Sequence, residues 1–297
     1  MIELGHMYTY EELVKRMEEL AGKYPEYLSL QCAGISHDER EIPVLVLGSS
    51  GKCLILSGGI HGRESINPVL LLGMAEDYCE RRKRAGEQDE TGRILNKYSI
   101  YFLPVANPDG YEIALWGFES IRNPVLRHTM RMKEIPHETW KYNARGIDIN
   151  RNFPCRSYTS RGNMRESASE NETKALIDIF AGYPDSVGYI DFHSRGRIIY
   201  YYRRAMPFFY NRRGKHMAKK FQQISNYAIG KKREEAASVL DGGNSVNYYS
   251  ENYEKLAITV ETVEDCADFP LDVGYYEKTY QEVSEIPLSF LMEYDRG

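Results

Sequence analysis

The sequence predicts an α/β protein: a single domain over residues 1–297, built on a central, mostly parallel mixed β-sheet with helices on both faces. Three observations carry this. Short apolar runs of strand length alternate with longer segments of helical periodicity. No linker-like stretch or internal repeat divides them. Polar residues with metal or acid–base chemistry (His61 and Glu64, Asn107, His193, Glu261) fall where strands end, which is where an open α/β sheet places its ligand site.

Thr9, with Glu12 three residues on, opens a helix that runs to about Lys23 and is stopped by Pro25. Tyr27 to Cys32, Ile42 to Leu47 and Lys52 to Leu56 read as strands, with turns at Ser36 to Glu39 and Gly48 to Gly51. The third strand runs into Gly58-Gly59, where the backbone turns without a Cβ penalty. Ser65 to Cys79 carries Val69, Leu70, Leu72, Met74 and Ala75 at helical spacing, so His61 and Glu64 sit on a strand-to-helix loop. A charged loop is expected over Arg81 to Gly92, and a fourth strand over Tyr98 to Val105 ends in Ala106-Asn-Pro-Asp-Gly-Tyr111. Residues 112–147 read as a long, irregular functional loop. A helix follows from Ser169 to Ala181, then a buried strand from Ser186 to Phe192 that ends at His193, and another strand from Arg197 to Tyr202. A helix over Pro207 to Ile229, a Gly-rich loop Asp241 to Asn244, a strand Leu256 to Glu261 and a closing helix Val273 to Tyr294 complete the chain.

Composition narrows the class. The 38 basic and 43 acidic residues leave a net charge of -5, which argues against nucleic acid or an anionic membrane as partner. The basic runs Arg81 to Arg84 and Lys231 to Arg233 read as solvated helix ends. Cys32, Cys53, Cys79, Cys155 and Cys266 are odd in number and form no Cys-x-x-Cys pair, against a disulfide framework or a cysteine zinc site. No run of 18 apolar residues exists, and the first 22 residues pattern as an amphipathic helix rather than a leader; a reduced cytoplasmic protein is expected. Without Gly-x-Ser-x-Gly or a phosphate-cradling loop, the serine-hydrolase and nucleotide-binding readings fall.

An imidazole and a carboxylate three residues apart on a loop are two zinc ligands in need of a third. Alone, His61 and Glu64 read rather as a polar turn with a surface ion pair. His193, at the end of an apolar strand, reads alone as a core histidine, and beside His61 and Glu64 as the candidate third ligand.

His61-Gly-Arg-Glu64, Asn107-Pro-Asp-Gly110, Asp148-Ile-Asn-Arg-Asn-Phe153, His193-Ser194 and Thr259-Val-Glu261 occur in this order. In these motifs the sequence resembles the zinc metallocarboxypeptidases, the carboxypeptidase A-like family, over nearly the whole chain. The resemblance implies one zinc per chain, held by His61, Glu64 and His193, with water in the fourth position; carboxypeptidase A is a standing example of that ligand set. It implies that Glu261 takes the proton of the water and passes it to the leaving nitrogen. Glu264 is the rival base, but lies past the strand. Asn150 and Arg151 would bind the terminal carboxylate of a small peptide substrate, since a guanidinium fork matches a carboxylate.

A second cation should stand near the scissile carbonyl. The family's arginine position falls on Lys141; Arg145 is the substitute, and Arg122 a more distant one. The position of the family's mobile tyrosine falls on Ser238, while Tyr248 and Tyr249 come several residues later. Asn244, Ser245, Val246 and Asn247 carry no charge, so no preference for basic or acidic terminal residues is written there. Trp140 to Pro154 and Asp191 to Tyr200 look most like bacterial members, which include peptidases cutting the γ-D-glutamyl–diamino acid bond of cell-wall peptides. Two other readings stand beside this one: a zinc amidohydrolase deacylating N-acyl amino acids, and a non-catalytic peptide-binding module.

Overall fold

The structure, a computed structural model, describes residues 2–84, 89–156, 166–238 and 242–297, with backbone alone for 236–238. Helix α1 (Tyr10–Lys23) begins with a capping box: the Thr9 hydroxyl accepts the Glu12 N–H, and the Glu12 carboxylate accepts the Thr9 N–H. Such a cap stabilises a helix end by about 1 kcal/mol. Strands β1 (Leu28–Ile35), β2 (Glu41–Leu47) and β3 (Cys53–Ser57) follow, then α2 (Ile66–Arg84).

From here the structure is more helical than the sequence suggests. The expected loop over Arg81 to Gly92 is the end of α2 and, past residues 85–88, which lie outside those described, the start of α3 (Glu90–Lys97), capped by Asp89. Arg81 to Arg84 sit where cations favour a helix C-terminus. After β4 (Ser99–Leu103), the expected irregular stretch contains the body of α4 (Pro108–Trp116) and all of α5 (Pro124–Arg131). Each begins with an Asn–Pro pair, a turn signal that here serves as N-cap and first helical residue. Then come α6 (Asn171–Gly182), β5 (Gly188–Ser194) and β6 (Ile198–Tyr200). Helix α7 (Phe208–Ser225) ends at Asn226 in left-handed conformation, and Ala228–Ile229 join the sheet as β7 rather than extending it. Two short helices not anticipated, α8 (Lys232–Ser238) and α9 (Ser245–Tyr253), precede β8 (Ala257–Thr262). The closing helix is two, α10 (Tyr276–Val283) and α11 (Ile286–Arg296), with Pro287 at the start of the second. Proline has no N–H to continue the first helix.

The eight strands form one mixed sheet in the order β1-β2-β4-β3-β5-β8-β6-β7. The central four, β4-β3-β5-β8, are parallel; β1, β2 and β6 pair antiparallel at the flanks. Alternation along the central strands fills two cores. Leu54, Leu56, Ile100 and Phe102 pack on one face with Val69, Leu70 and Leu71 of α2; Cys53, Ile55, Tyr101 and Leu103 pack on the other with Phe180 of α6 and Tyr249. Helices therefore cover both faces. From β3 the chain adds β4 on one side and β5 on the other, so a switch point lies at the carboxyl ends of β3 and β5.

Candidate functional site

The loop that leaves β3 is held by close backbone contact. A Cβ on Gly62 would lie 2.0 Å from the Gly110 carbonyl oxygen, and one on Gly110 would lie 2.3 Å from the Tyr142 carbonyl, so both must be glycine. Asn107 caps α4 through its side-chain oxygen, while its Nδ2 donates to the carbonyls of Ile60 and Tyr142. The Asn107-Pro-Asp-Gly110 motif thus fixes the residue before His61. Asp109 faces the other way and binds Ser36, the Asp38 N–H and Arg40.

His61, Glu64 and His193 converge: one donor atom from each lies within 4.8 Å of the others. Glu64 Oε1 is 2.7 Å from His61 Nδ1, and Oε2 is 2.9 Å from His193 Nδ1. Behind each ring stands a second carboxylate, with Asp148 3.3 Å from His61 Nε2 and Asp191 2.9 Å from His193 Nε2. Such partners fix which nitrogen carries the proton and leave the other for a metal. Asp191 is buried and is itself held by hydroxyls of Ser57 and Ser245 at 2.6 Å each. Two imidazoles and one carboxylate, each imidazole backed by a carboxylate, fit zinc in its three-ligand catalytic form.

The charges are strongly coupled. Burial alone would raise the Glu64 carboxyl, but the two imidazoles overcome it and hold it down at about 2. Burial likewise opposes the charged form of His61, and the Glu64 and Asp148 carboxylates outweigh it, raising its pKa. Asp148 is held well below the usual carboxylate range: against burial stand His61 and Lys141. Glu261, opposite His193 in the β5–β8 ladder, is raised to about 7, chiefly by burial against the pull of His193.

Lys141 Nζ lies 2.7 Å from Asp148 Oδ2, so one aspartate ties this cation to the His61 ring. Asn150 accepts the Ser245 N–H and places its Nδ2 3.2 Å from His193 Nε2. Arg151 donates to the Asn150 carbonyl and pairs with no carboxylate among the described residues. His61, His193, Glu261, Asn150 and Arg151 line one cavity of about 250 Å³. A second, of about 680 Å³, opens from the same centre toward Lys141, Arg63 and Arg195, with Asp265 and Asp268 at its wall.

Other residues raised by the sequence lie elsewhere. Arg145 Nη1 is 3.2 Å from His37 Nε2 and 3.7 Å from Glu170, in a different cluster. Arg122 donates to the Glu39 carbonyl and faces Glu11. Glu264 is paired with Arg197 and Lys278. Tyr249 is buried with its hydroxyl on Ser186, and Tyr248 packs beside Phe153 and Phe180. The Ser238 side chain lies outside the described residues. The tyrosine that lines the first cavity is Tyr200, together with Arg203, Glu234 and Glu235. Arg203, Glu234 and Glu235 were not singled out from sequence, and Tyr200, Asp148 and Asp191 stood within its motifs without a role. Asp191 left a signal: two residues before His193 on a strand, it shares that residue's face. Arg203 and Glu235 left none, because 32 positions separate them in the chain.

A family profile described as "Zinc carboxypeptidase" matches residues 13–285. Carboxypeptidase A4 of Mus musculus is 26% identical over 297 residues, covering 92% of this chain and 64% of that protein. Carboxypeptidase E of Caenorhabditis elegans is 33% identical over 159 residues, 51% of this chain and 30% of that one. The chain thus spans less than two thirds of these curated relatives. Among solved structures, bovine thrombin-activatable fibrinolysis inhibitor in complex with tick carboxypeptidase inhibitor superposes with a TM-score of 0.76 at 19% identity, covering 98% of this chain and 97% of that one. Carboxypeptidase A from Helicoverpa armigera gives 0.73 at 20% identity, covering 99% and 76%. At these identities the likeness is one of fold.

Proposed function

The chain belongs to the zinc carboxypeptidase family, and from that premise we propose that it is a metallocarboxypeptidase, hydrolysing an amide bond next to a free terminal carboxylate of a small peptide. One observation carries this reading: three zinc-type donors converge within 4.8 Å, and the two histidines share a cavity with a buried carboxylate, Glu261, and with the Arg151 guanidinium, which has no acidic partner among the described residues. His61, Glu64 and His193 would hold one zinc per chain. Zinc in such a site polarises a carbonyl and lowers the pKa of water towards neutrality.

The rest of the work falls to the chain. Arg151 and Asn150 anchor the terminal carboxylate, which sets the adjoining amide beside the metal ligands. Glu261 takes a proton from the attacking water and delivers it to the leaving nitrogen. Lys141 brings positive charge to the developing oxyanion as a point charge rather than a fork. Asp148 orients both Lys141 and His61.

The bond we propose is the one joining γ-D-glutamate to a diamino acid in cell-wall peptides. The resemblance of Trp140 to Pro154 and Asp191 to Tyr200 to bacterial members supports it. So does the second cavity: a γ-linked glutamate keeps a free α-carboxylate on its acyl side, and Arg63, Arg195 and Lys141 line that cavity together with Arg151, Asp265 and Asp268. The test is incubation of the zinc-loaded protein with L-Ala-γ-D-Glu-meso-diaminopimelate. Release of the diamino acid is expected; intact tripeptide alongside rapid cleavage of an ordinary α-linked dipeptide would reject the γ-glutamyl assignment and keep the peptidase.

A further inference from the structure

Away from the metal ligands, the described residues enclose a further cavity of about 830 Å³, larger than either of the two at the candidate site. It lies at the opposite edge of the sheet. Val187 and Leu256, which line it, immediately precede β5 and β8, whereas His193 and Glu261 lie near the far ends of those strands. From Val187 to His193, six residues of strand span about 20 Å. The floor is apolar and buried: Val187, Met217, Leu256 and Phe290 are at most 7% exposed. A Cβ on Gly188 would lie 2.1 Å from the Phe290 ring, so the first residue of β5 makes room for that side chain.

The rim is different in kind. Helix α7 brings Phe209, Arg212 and Arg213 to it, and α11 brings Glu293 and Tyr294. In a chain whose net charge is -5, α7 holds five lysines and arginines and no acidic residue. Tyr210, Gly214, Met217 and Phe221 form its buried side, and helical spacing turns Arg212, Arg213, Lys215 and Lys219 to solvent. None of these four pairs with a carboxylate among the described residues. Glu293 is already held by His216 at 2.6 Å and Lys220 at 3.3 Å. Phe208 and Phe209 project from the start of α7, 74% and 72% exposed, with their rings edge to face at 5.8 Å. Exposed aromatic rings beside unpaired guanidiniums are the composition of a protein interface, where aromatic residues and arginine are enriched.

Floor and rim together choose the occupant. Unpaired cations at the rim call for anions, and an uncharged segment laid over them would strip their water and return nothing. The apolar floor lies below those cations. A bilayer surface resting on α7 would leave that floor empty, whereas a side chain projecting from a polypeptide fills it. We propose that the groove between α7 and α11 docks an acidic segment of a partner polypeptide. One large apolar side chain enters the floor beside Phe209, and flanking carboxylates meet Arg212 and Arg213. Because the groove lies at the amino ends of the strands, the partner is held with the cavity at His61 and His193 open to substrate.

The experiment selects a phage-displayed library of random peptides on the immobilised zinc-loaded protein. Each peptide is joined to the phage coat through its carboxyl end, so that no free terminal carboxylate reaches the catalytic cavity. Enriched sequences are expected to combine a phenylalanine, tryptophan or leucine with acidic neighbours. Made as fluorescein-labelled amides, they should bind at least about tenfold more weakly to Arg213→Glu and to Phe209→Ser, both at exposed positions, when measured by anisotropy. Alanine in place of the apolar residue should weaken them as much, and added salt should weaken them further. Turnover of peptide substrate should be the same in both variants as in the unsubstituted protein. An empty selection, enrichment of basic or purely polar sequences, equal affinity for the variants, or turnover lost in them overturns the inference. Sedimentation with vesicles of phosphatidylglycerol and phosphatidylcholine tests the bilayer: binding lost in Arg213→Glu, with no acidic peptide enriched, would give the face to a membrane and overturn the inference as well. Docking of acidic peptides by a protein that hydrolyses none would reject the peptidase reading and leave the docking groove standing.

Discussion

Among the described residues, two largely buried clusters bring histidine and glutamate donors within 4.8 Å of one another: His61, Glu64 and His193, and, separately, His37, Glu170 and Glu172. By residue type they are near equals. They differ in what their lone pairs already do. In the second cluster Asn143 Nδ2 donates to Glu170 at 2.8 Å and Glu172 at 3.1 Å, and Ser169 donates to Glu170 at 2.7 Å. His37 Nε2 receives the Asn171 N–H and faces the Arg145 guanidinium, each at 3.2 Å. A cation would have to displace these donors and sit beside an arginine. The cluster is a latch joining the turn after β1, the loop before Asn150 and the start of α6. In the first cluster carboxylates stand behind the imidazoles, and the donors turn towards a cavity. A metal site requires unspent lone pairs and an opening as well as the right residues.

The sharpest test of this contrast is metal content. His193→Ala should take bound zinc from about one per chain to none and cut kcat/KM by at least about 10³-fold, whereas His37→Ala should leave zinc unchanged. Elemental analysis reads both; two zincs in the unsubstituted protein, with one lost on His37→Ala, would abolish the distinction. Next in size, Glu261→Gln should keep its zinc and lose about 10²–10⁴-fold in kcat. Activity retained in that variant would move the proton transfer to another group.

A smaller effect probes the carboxylates behind the rings. Asp148→Asn should weaken zinc affinity by about 10–100-fold in competition with a chelator. Glu170→Gln, altering the latch in the same conservative way, should not change it.

The last prediction concerns the latch alone. Burial, reinforced by Asp109, lifts the Glu172 carboxyl to about 7 from an ordinary 4.5. Between those values the unfolded chain releases this proton while the folded protein keeps it, so the group's contribution to stability falls as pH rises through that window. Glu172→Gln should therefore stabilise the protein by about 1–3 kcal/mol at pH 8 relative to its effect at pH 4. Urea unfolding at the two pH values measures it, and an effect independent of pH would show that Glu172 is ionised in the fold.

Local chemistry was legible along the chain. Gly58-Gly59 after an apolar run, Thr9 with Glu12, and polar residues at strand ends were enough for an α/β sheet with His61, Glu64 and His193 at its carboxyl edge, because strand alternation and capping act over a few residues. The stretch 112–147, read as irregular, holds the end of α4 and all of α5, since the Asn–Pro pairs at 107–108 and 123–124 start helices and only packing of the following residues decides whether such a dipeptide turns or caps. Arg145 and Lys141 were indistinguishable as cations four residues apart. The fold sends one to His37 and Glu170 and the other to Asp148 beside His61. The Arg203 end of the first cavity belonged wholly to the tertiary structure. Arg203 follows β6, Glu235 lies on α8, and Ala257 starts β8, and no spacing in the chain announces that three such segments meet. Sequence by itself determined which chemistry the chain carries and at which strand ends. Which charges are spent on each other, and which remain to face a substrate, only long-range packing could decide, because a charge is free or paired according to neighbours that the chain brings from far away.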